Sequence, residues 1–256
     1  AGADCEALQS LLPPGAARNA IDCALWDLKA KQCGIPAYEL AGLPPPVPVV
    51  TAFTISAGTP GEMARAAGAA ASRPLLKIKL MGEGDAVRLA AVRAAAPNAT
   101  LIADANEAWA QGSIERNLEA CAKAGVALIE QPLPAGQDAV LARIEHIVPI
   151  CADESVHDRA SLEGLRPRYD AINVKLDKTG GLTEALALVK EAQGLGFELM
   201  IGCMVSSSLA MAPALLLACC ARFTDLDGPL LLAQERPQGL RYEGSIIHPA
   251  ARELWG

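Results

Sequence analysis

Aromatic residues make up only 4% of the 256-residue chain, and there are three histidines. Long hydrophobic runs are also missing. The longest, 209–221, is interrupted by Pro213 and falls short of the about 18–20 apolar residues that a membrane span needs. Positive charge is not in excess either: the formal net charge is -7, which argues against nucleic acid or an anionic membrane as partner and is compatible with a cavity that takes up a cation. The eight cysteines, at positions 5, 23, 33, 121, 151, 203, 219 and 220, include no C-x-x-C pair and no zinc-like spacing. Lying mostly within apolar runs, they read as reduced packing residues, which points to the cytoplasm. No secretory signal peptide is visible, and the chain opens on Ala1-Gly2-Ala3 rather than on methionine.

What is present is ample core material. A hydrophobic content of 52% excludes disorder and suits one barrel-sized domain with additions. After Pro13-Pro14-Gly15, the stripe Ala17, Ala20, Ile21, Ala24, Leu25 and Leu28 predicts a first helix over 13–31, ended by Gly34-Ile35-Pro36. The prolines at 44, 45, 46 and 48 read as a linker, and 47–55 reads as the first strand of a second domain whose boundary lies near residue 45. Strands are then expected at 75–80, 100–104, 126–130, 149–153, 170–175, 197–201 and 223–226, with helices between them, including 137–146, 158–165 and 206–221. Alternation with short loops implies a parallel sheet, and eight strands close it into a TIM-type (β/α)8 or (β/α)7β barrel. The near alternation of Leu240, Tyr242, Ile246 and Ile247 predicts a β tail that packs back on the N-terminal part.

Charge recurs where the apolar strand runs stop. In Leu76-Lys77-Ile78-Lys79-Leu80 the two lysines share one strand face, where side-by-side ammonium groups require acids or a bound anion. Asp104, Glu130, Asp153, Lys175 and Asp225 follow at intervals of 25, 26, 23, 22 and 50 residues, the first four each one βα unit long and the last two units. Asp104, Glu130 and Asp153 on three consecutive strand ends suit an oxygen-ligated divalent ion such as Mg²⁺; taken singly, each acid also suits a helix cap. Lys79 and Lys175, four strands apart, suit two bases acting on opposite faces of one carbon, against the plainer reading of solvated or ion-paired lysines. His146, His157 and His248 fall off these strand ends and suit surface or capping roles.

The Lys77-Ile78-Lys79 pair, the Asp104, Glu130, Asp153 set, and Asn173-Val174-Lys175-Leu176 with Thr179-Gly180-Gly181 resemble the enolase superfamily in its muconate-lactonizing subgroup, over about residues 13–250. Asp225-Leu226-Asp227 resembles the D-x-D motif of the dipeptide epimerases in that subgroup, whose two acids bind a free α-ammonium group. The resemblance implies an isomerase that inverts the Cα of a dipeptide's C-terminal residue by 1,1-proton transfer through an enediolate. It makes Asp104, Glu130 and Asp153 the Mg²⁺ ligands, Lys79 and Lys175 the two bases, and Lys77 a positive charge beside the substrate carboxylate. Thr54, Cys203, Met204 and Val205 would contact substrate together with Asp225 and Asp227. Five acids, three lysines and one divalent cation then sum to zero charge.

The resemblance also implies an α+β capping domain whose earlier βββα part would precede residue 1. The expected division is a helical cap remnant at 1–45, the barrel at 46–235 and a C-terminal segment at 236–256 that packs on the cap. The partner is a small-molecule dipeptide, and a homo-oligomer is expected by analogy with the family. Two other readings are an o-succinylbenzoate synthase or cycloisomerase, which has no use for the D-x-D acids, and an inactive truncated homologue.

Overall fold

The computed structural model describes residues 4–256, so the Ala1-Gly2-Ala3 opening of the expected cap remnant lies outside the described residues. Helix α1 (Cys5–Leu11) starts where the Asp4 carboxylate accepts the Ala7 N–H at 2.7 Å. Helix α2 (Ala16–Cys33) begins after the proline-glycine turn and ends at Gly34, which adopts φ +70°. A left-handed stop favours glycine because it has no Cβ to clash. The short α3 (Ala37–Leu40) follows.

The expected strand 47–55 is two strands. β1 (Val49–Val50) pairs antiparallel with β11 (Ile246–Ile247), which also pairs with β10 (Tyr242–Glu243). β2 (Phe53–Ile55) instead opens the main sheet. The remaining strands are β3 (Leu75–Lys79), β4 (Thr100–Asp104), β5 (Val126–Glu130), β6 (Ile150–Ala152), β7 (Ala171–Val174), β8 (Glu198–Gly202) and β9 (Phe223–Asp225). Among the described residues, these form one eight-stranded sheet in unbroken chain order from β2 to β9, the order of a (β/α)8 barrel.

The intervening helices are α4 (Pro60–Ala69), α5 (Asp85–Ala95), α6 (Ile114–Lys123), α7 (Leu162–Leu165), α8 (Leu176–Thr179), α9 (Leu182–Gly194) and α10 (Ser208–Leu215). The entry to α4 shows why such segments are helical: Thr59 accepts the Glu62 N–H, Glu62 accepts the Thr59 N–H at 2.9 Å, and Pro60 fills the first helical position. Three expected helices are shorter than the sequence suggests. The 137–146 segment is a 3₁₀ turn at Ala139–Arg143, bracketed by Gly136 at φ +78° and an extended Ile144. The 158–165 segment is a 3₁₀ turn followed by one turn of α7. Helix 206–221 gives way to 3₁₀ geometry at Leu216 shortly after Pro213, which has no N–H to continue the α ladder.

The chain folds as two compact units. One comprises Ala52–Val156 and Ser161–Asn173, with strands β2–β6 and most of β7. The other holds the chain up to Thr51, His157–Ala160 and Val174–Gly256, and so contains α1–α3, the small antiparallel sheet and the last two strands of the main sheet.

Candidate active site

In the first unit, parallel register sets the lysines and acids on one face. Thr54 lies opposite Lys77, Lys79 opposite Asp104, and Asp104 opposite Glu130. Asp153 follows β6 by one residue and faces the same way as Cys151, the register partner of Glu130. Asp104 and Glu130 are wholly buried, and Asp153 nearly so.

The compensation expected for the paired lysines is there. Lys77 Nζ lies 3.1 Å from Asp104 Oδ2 and 2.7 Å from Glu130 Oε2, and Lys79 Nζ lies 2.6 Å from the same Asp104 oxygen. Burial pushes the Asp104 carboxyl pKa up, but the Lys77 and Lys79 charges outweigh it and hold the group below the ordinary carboxylate range. The two lysines differ in exposure: the Lys77 side chain is 2% accessible and that of Lys79 is 32%. Lys77 is therefore built in as a fixed charge, whereas Lys79 can meet a ligand.

Asn106 steadies this arrangement from the loop after β4. Its N–H donates to Asp104 Oδ1 at 3.0 Å, and its side-chain oxygen accepts from Lys79 Nζ at 2.9 Å. Asn173 on β7 donates to Glu130 Oε1 at 2.6 Å. Among the described residues, no three His, Cys, Asp or Glu side chains are gathered into a metal-holding group. Asp104 and Glu130 both pair with Lys77, and the negative charge of Asp153 acts on Asp104 to raise its pKa. An all-carboxylate donor set on adjoining strand ends fits a hard divalent cation.

A second, buried network underlies the acids. Gln131, at φ +33°, accepts the Asp153 and Ser155 N–H groups at 2.9 and 3.1 Å through Oε1. Its Nε2 donates to the Leu133 carbonyl, Ser155 Oγ and Tyr169 OH. Tyr169 and Ser155 in turn donate to Asp138, which also pairs with Arg168. Burial raises the Asp138 pKa, but these donors and the arginine prevail and lower it.

In the other unit, Lys175 is 8% exposed and stands at the N-terminal cap of α8. Asp225 and Asp227 are 5% and 4% exposed. β9 stops at Asp225, so Asp227 lies beyond the strand, at φ -85° and ψ 1°. Leu226 between them is gripped by its backbone: its N–H donates to Thr51 Oγ1 and its carbonyl accepts Tyr242 OH, both at 2.8 Å. Cys203, Met204 and Val205 follow β8, with Met204 and Val205 exposed. They pass close to Gly228, where an added Cβ would lie 3.3 Å from the Met204 carbonyl and 3.4 Å from Cys203 Sγ, so this loop does reach the D-x-D segment.

Residues 62–240 match the enolase C-terminal domain-like family, and residues 2–42 match the N-terminal domain of mandelate racemase and muconate lactonizing enzyme. The chain belongs to the enolase superfamily. Within that superfamily it is 48% identical over 249 residues to an N-acetyl-D-glutamate racemase of a Pseudoalteromonas species, covering 97% of this chain and 79% of that protein. It is also 48% identical over 245 residues to the L-Ala-D/L-Glu epimerase of Escherichia coli K12, covering 95% and 76%. A solved enolase family member from Agrobacterium tumefaciens with homology to dipeptide epimerases, holding sodium and L-Ala-L-Glu, superposes with a TM-score of 0.98 at 59% identity over 100% of this chain and 78% of that one.

Residue-type and spacing arguments overlooked Asn106, Gln131 and Asn173 as site residues, although Asn106 lies two residues after Asp104, Gln131 directly after Glu130 and Asn173 two residues before Lys175. Side-chain amides adjoining buried acids were the available signal, since they can donate to a carboxylate without adding charge.

Proposed function

We propose that this enolase-superfamily chain is a divalent-metal-dependent isomerase that epimerises a dipeptide at the Cα of its C-terminal residue. The observation that carries this reading is the convergence of a buried and an accessible lysine on one buried acid, Asp104. Relatives named as dipeptide epimerases support the substrate class. Solved relatives holding magnesium or sodium support an oxygen-ligated cation. In this reading Asp104, Glu130 and Asp153 hold Mg²⁺, which when bound stabilises the second negative charge that develops on the substrate carboxylate.

The chain's own residues do the rest. Lys79 and Lys175 act as the two bases: one takes the α-proton onto its Nζ and the other delivers a proton to the opposite face, through an enediolate. Lys77, fixed by its two acids, supplies permanent positive charge near the carboxylate. Asp225 and Asp227 bind the α-ammonium group, with Thr54, Cys203, Met204 and Val205 lining the substrate. In the division into a cap at 1–45, a barrel at 46–235 and a tail at 236–256, the first boundary is supported by family matches that stop at 42 and resume at 62. Cytoplasmic residence is supported by eight cysteines of which none is in a disulfide.

The test is proton NMR in D₂O with Mg²⁺, following the C-terminal α-proton of L-Ala-L-Glu. Exchange that EDTA abolishes, with a second diastereomer whose appearance both EDTA and Lys175→Ala abolish, is the expected result; exchange and epimerisation indifferent to both treatments sink the reading. One relative favours an alternative, racemisation of an N-acylated glutamate. Such a substrate has no ammonium group for Asp225 and Asp227, so Asp227→Asn should cripple dipeptide turnover yet spare N-acetyl-D-glutamate turnover.

A further inference from the structure

Helix α2 carries three polar side chains that are buried without belonging to the site described above. Arg18 is 6% exposed, Asn19 7% and Asp22 0%. Burying such groups costs free energy unless each is matched, and much of the matching comes from 177–183, the segment immediately after Lys175. Arg18 Nη2 donates to the Thr179 carbonyl at 2.7 Å and Nε to the Gly180 carbonyl at 3.1 Å. Its Nη1 donates to the Gln9 and Leu12 carbonyls, both at 3.1 Å. Asn19 Nδ2 donates to Asp177 Oδ1 at 3.1 Å. Asp22 accepts the Thr183 N–H at 3.0 Å and its hydroxyl at 2.7 Å, and also the Gln9 amide at 3.0 Å.

The fit admits no side chain at Gly180 or Gly181. A Cβ at Gly180 would lie 2.4 Å from Arg18 Nε, and one at Gly181 would lie 2.4 Å from Asp22 Cβ. Both glycines also hold positive φ, +74° and +124°. Their carriage is one turn of helix, α8, whose four residues form too short a helix to hold its place alone. Lys175 is the cap of that turn: its carbonyl accepts the Lys178 and Thr179 N–H groups at 3.0 and 3.1 Å. Two consecutive hydrogen bonds thus run from the Arg18 guanidinium through Thr179 to the Lys175 backbone.

We propose that the Arg18, Asn19 and Asp22 face of α2 positions the Lys175 side chain for proton transfer, so that the cap helix governs proton exchange at the face of the carbon that Lys175 serves. The inference rests on the reading of Lys175 as one of two bases. A clamp that only stabilised the fold would slow deuterium exchange into both epimers alike. A clamp that aims one base acts on the epimer from which that base takes the proton.

The test follows deuterium exchange into L-Ala-L-Glu and, separately, L-Ala-D-Glu under saturating substrate and Mg²⁺, for the parent protein, Lys175→Ala, Arg18→Met, Arg18→Lys and Asp22→Asn. Lys175→Ala identifies the epimer that depends on this base. Arg18→Met is expected to lower exchange of that epimer by about tenfold or more relative to the other, as ångström-scale misplacement does, with Arg18→Lys falling between. Equal loss for both epimers, or no loss, overturns the proposal. A readout independent of turnover is acylation of Lys175 relative to Lys178 by acetic anhydride, followed by mass spectrometry. If the parent protein exchanges neither epimer, the two-base reading fails. The clamp is then judged on acylation: a changed Lys175 to Lys178 ratio in folded Asp22→Asn supports it, and an unchanged ratio overturns it.

Discussion

In the unit built from Ala52–Val156 and Ser161–Asn173, charge is stabilised by charge: Lys77 sits between Asp104 and Glu130, and Lys79 shares the Asp104 oxygen. In the other unit, the cap helix steadies the segment after Lys175 largely through neutral backbone groups, because Arg18 donates to the Thr179 and Gly180 carbonyls and Asp22 accepts the Thr183 N–H. The difference shows two ways of keeping a polar site rigid. Opposed charges are strong but interdependent, so losing one member exposes the others. A backbone clamp is tolerant of charge but intolerant of volume, because it works by close approach.

Each half of that comparison can be pressed experimentally. The largest effect is expected from Lys77→Met, which leaves Asp104 and Glu130 buried without their shared cation and should lower stability to denaturant by about 3–5 kcal/mol. Added Mg²⁺ should recover part of it, and a loss near zero would remove the contrast between the units. Next comes Gly181→Ala, where the new methyl meets Asp22 Cβ; a cost of about 1–3 kcal/mol is expected from crowding. Gly15→Ala, at φ +138° and ψ -179° close to the +124° and 177° of Gly181 but with nothing within 4 Å, is the control that isolates volume from backbone strain.

A third variant probes the amide network beneath the acids. Gln131→Leu releases the Asp153 and Ser155 N–H groups and should weaken Mg²⁺ binding about tenfold by calorimetry, as loss of an outer support does. Unchanged affinity would confine Gln131 to packing. The smallest effect belongs to His146 and Asp170, 2.7 Å apart at the edge of the first unit. The hydrogen bond to Asp170 raises the His146 pKa above 6.5 against the opposing effect of burial, so the stability this provides is complete below pH 6.5 and is lost as pH rises through the raised value. Burial pushes Asp170 up, but His146 and the Ile150 N–H bring its pKa below 3.8, so its share is present above that pH and fades as acid protonates it. Because Asp170 is 42% exposed, Asp170→Asn should flatten the alkaline side of a melting profile by less than about 1 kcal/mol.

The main sheet was legible in the sequence because strand ends carry charge at a nearly constant interval, and because alternation forces Lys77 and Lys79 onto one face. The same rule stopped helping where strands stopped: it extended β9 through Leu226, whereas Asp227 lies beyond the strand in a turn. It also merged β1 with β2, since apolar content cannot say which partner a strand will pair with, and Val49–Val50 pairs with residues about two hundred positions later. Helix 137–146 was misjudged because Asp138 is committed to Tyr169, Ser155 and Arg168, a tertiary demand that outweighs local propensity. The roles of Arg18, Asp22 and Gln131 were hidden for a related reason. Buried polar side chains on a helix or loop acquire meaning only from the backbone they reach.

The short antiparallel sheet has a consequence for the order of assembly during synthesis. Val49 and Val50 wait for Ile247 and Ile246, the Thr51 N–H for the Ser245 carbonyl and Thr51 Oγ1 for the Leu226 N–H. A ribosome making about 5–20 residues per second would therefore expose this stretch for about ten seconds or more before its partners emerge. Until then the edge at Val49–Val50 is an unpaired template of the kind that recruits foreign strands, and the prolines at 44, 45, 46 and 48, which cannot donate to a ladder, stand guard directly before it.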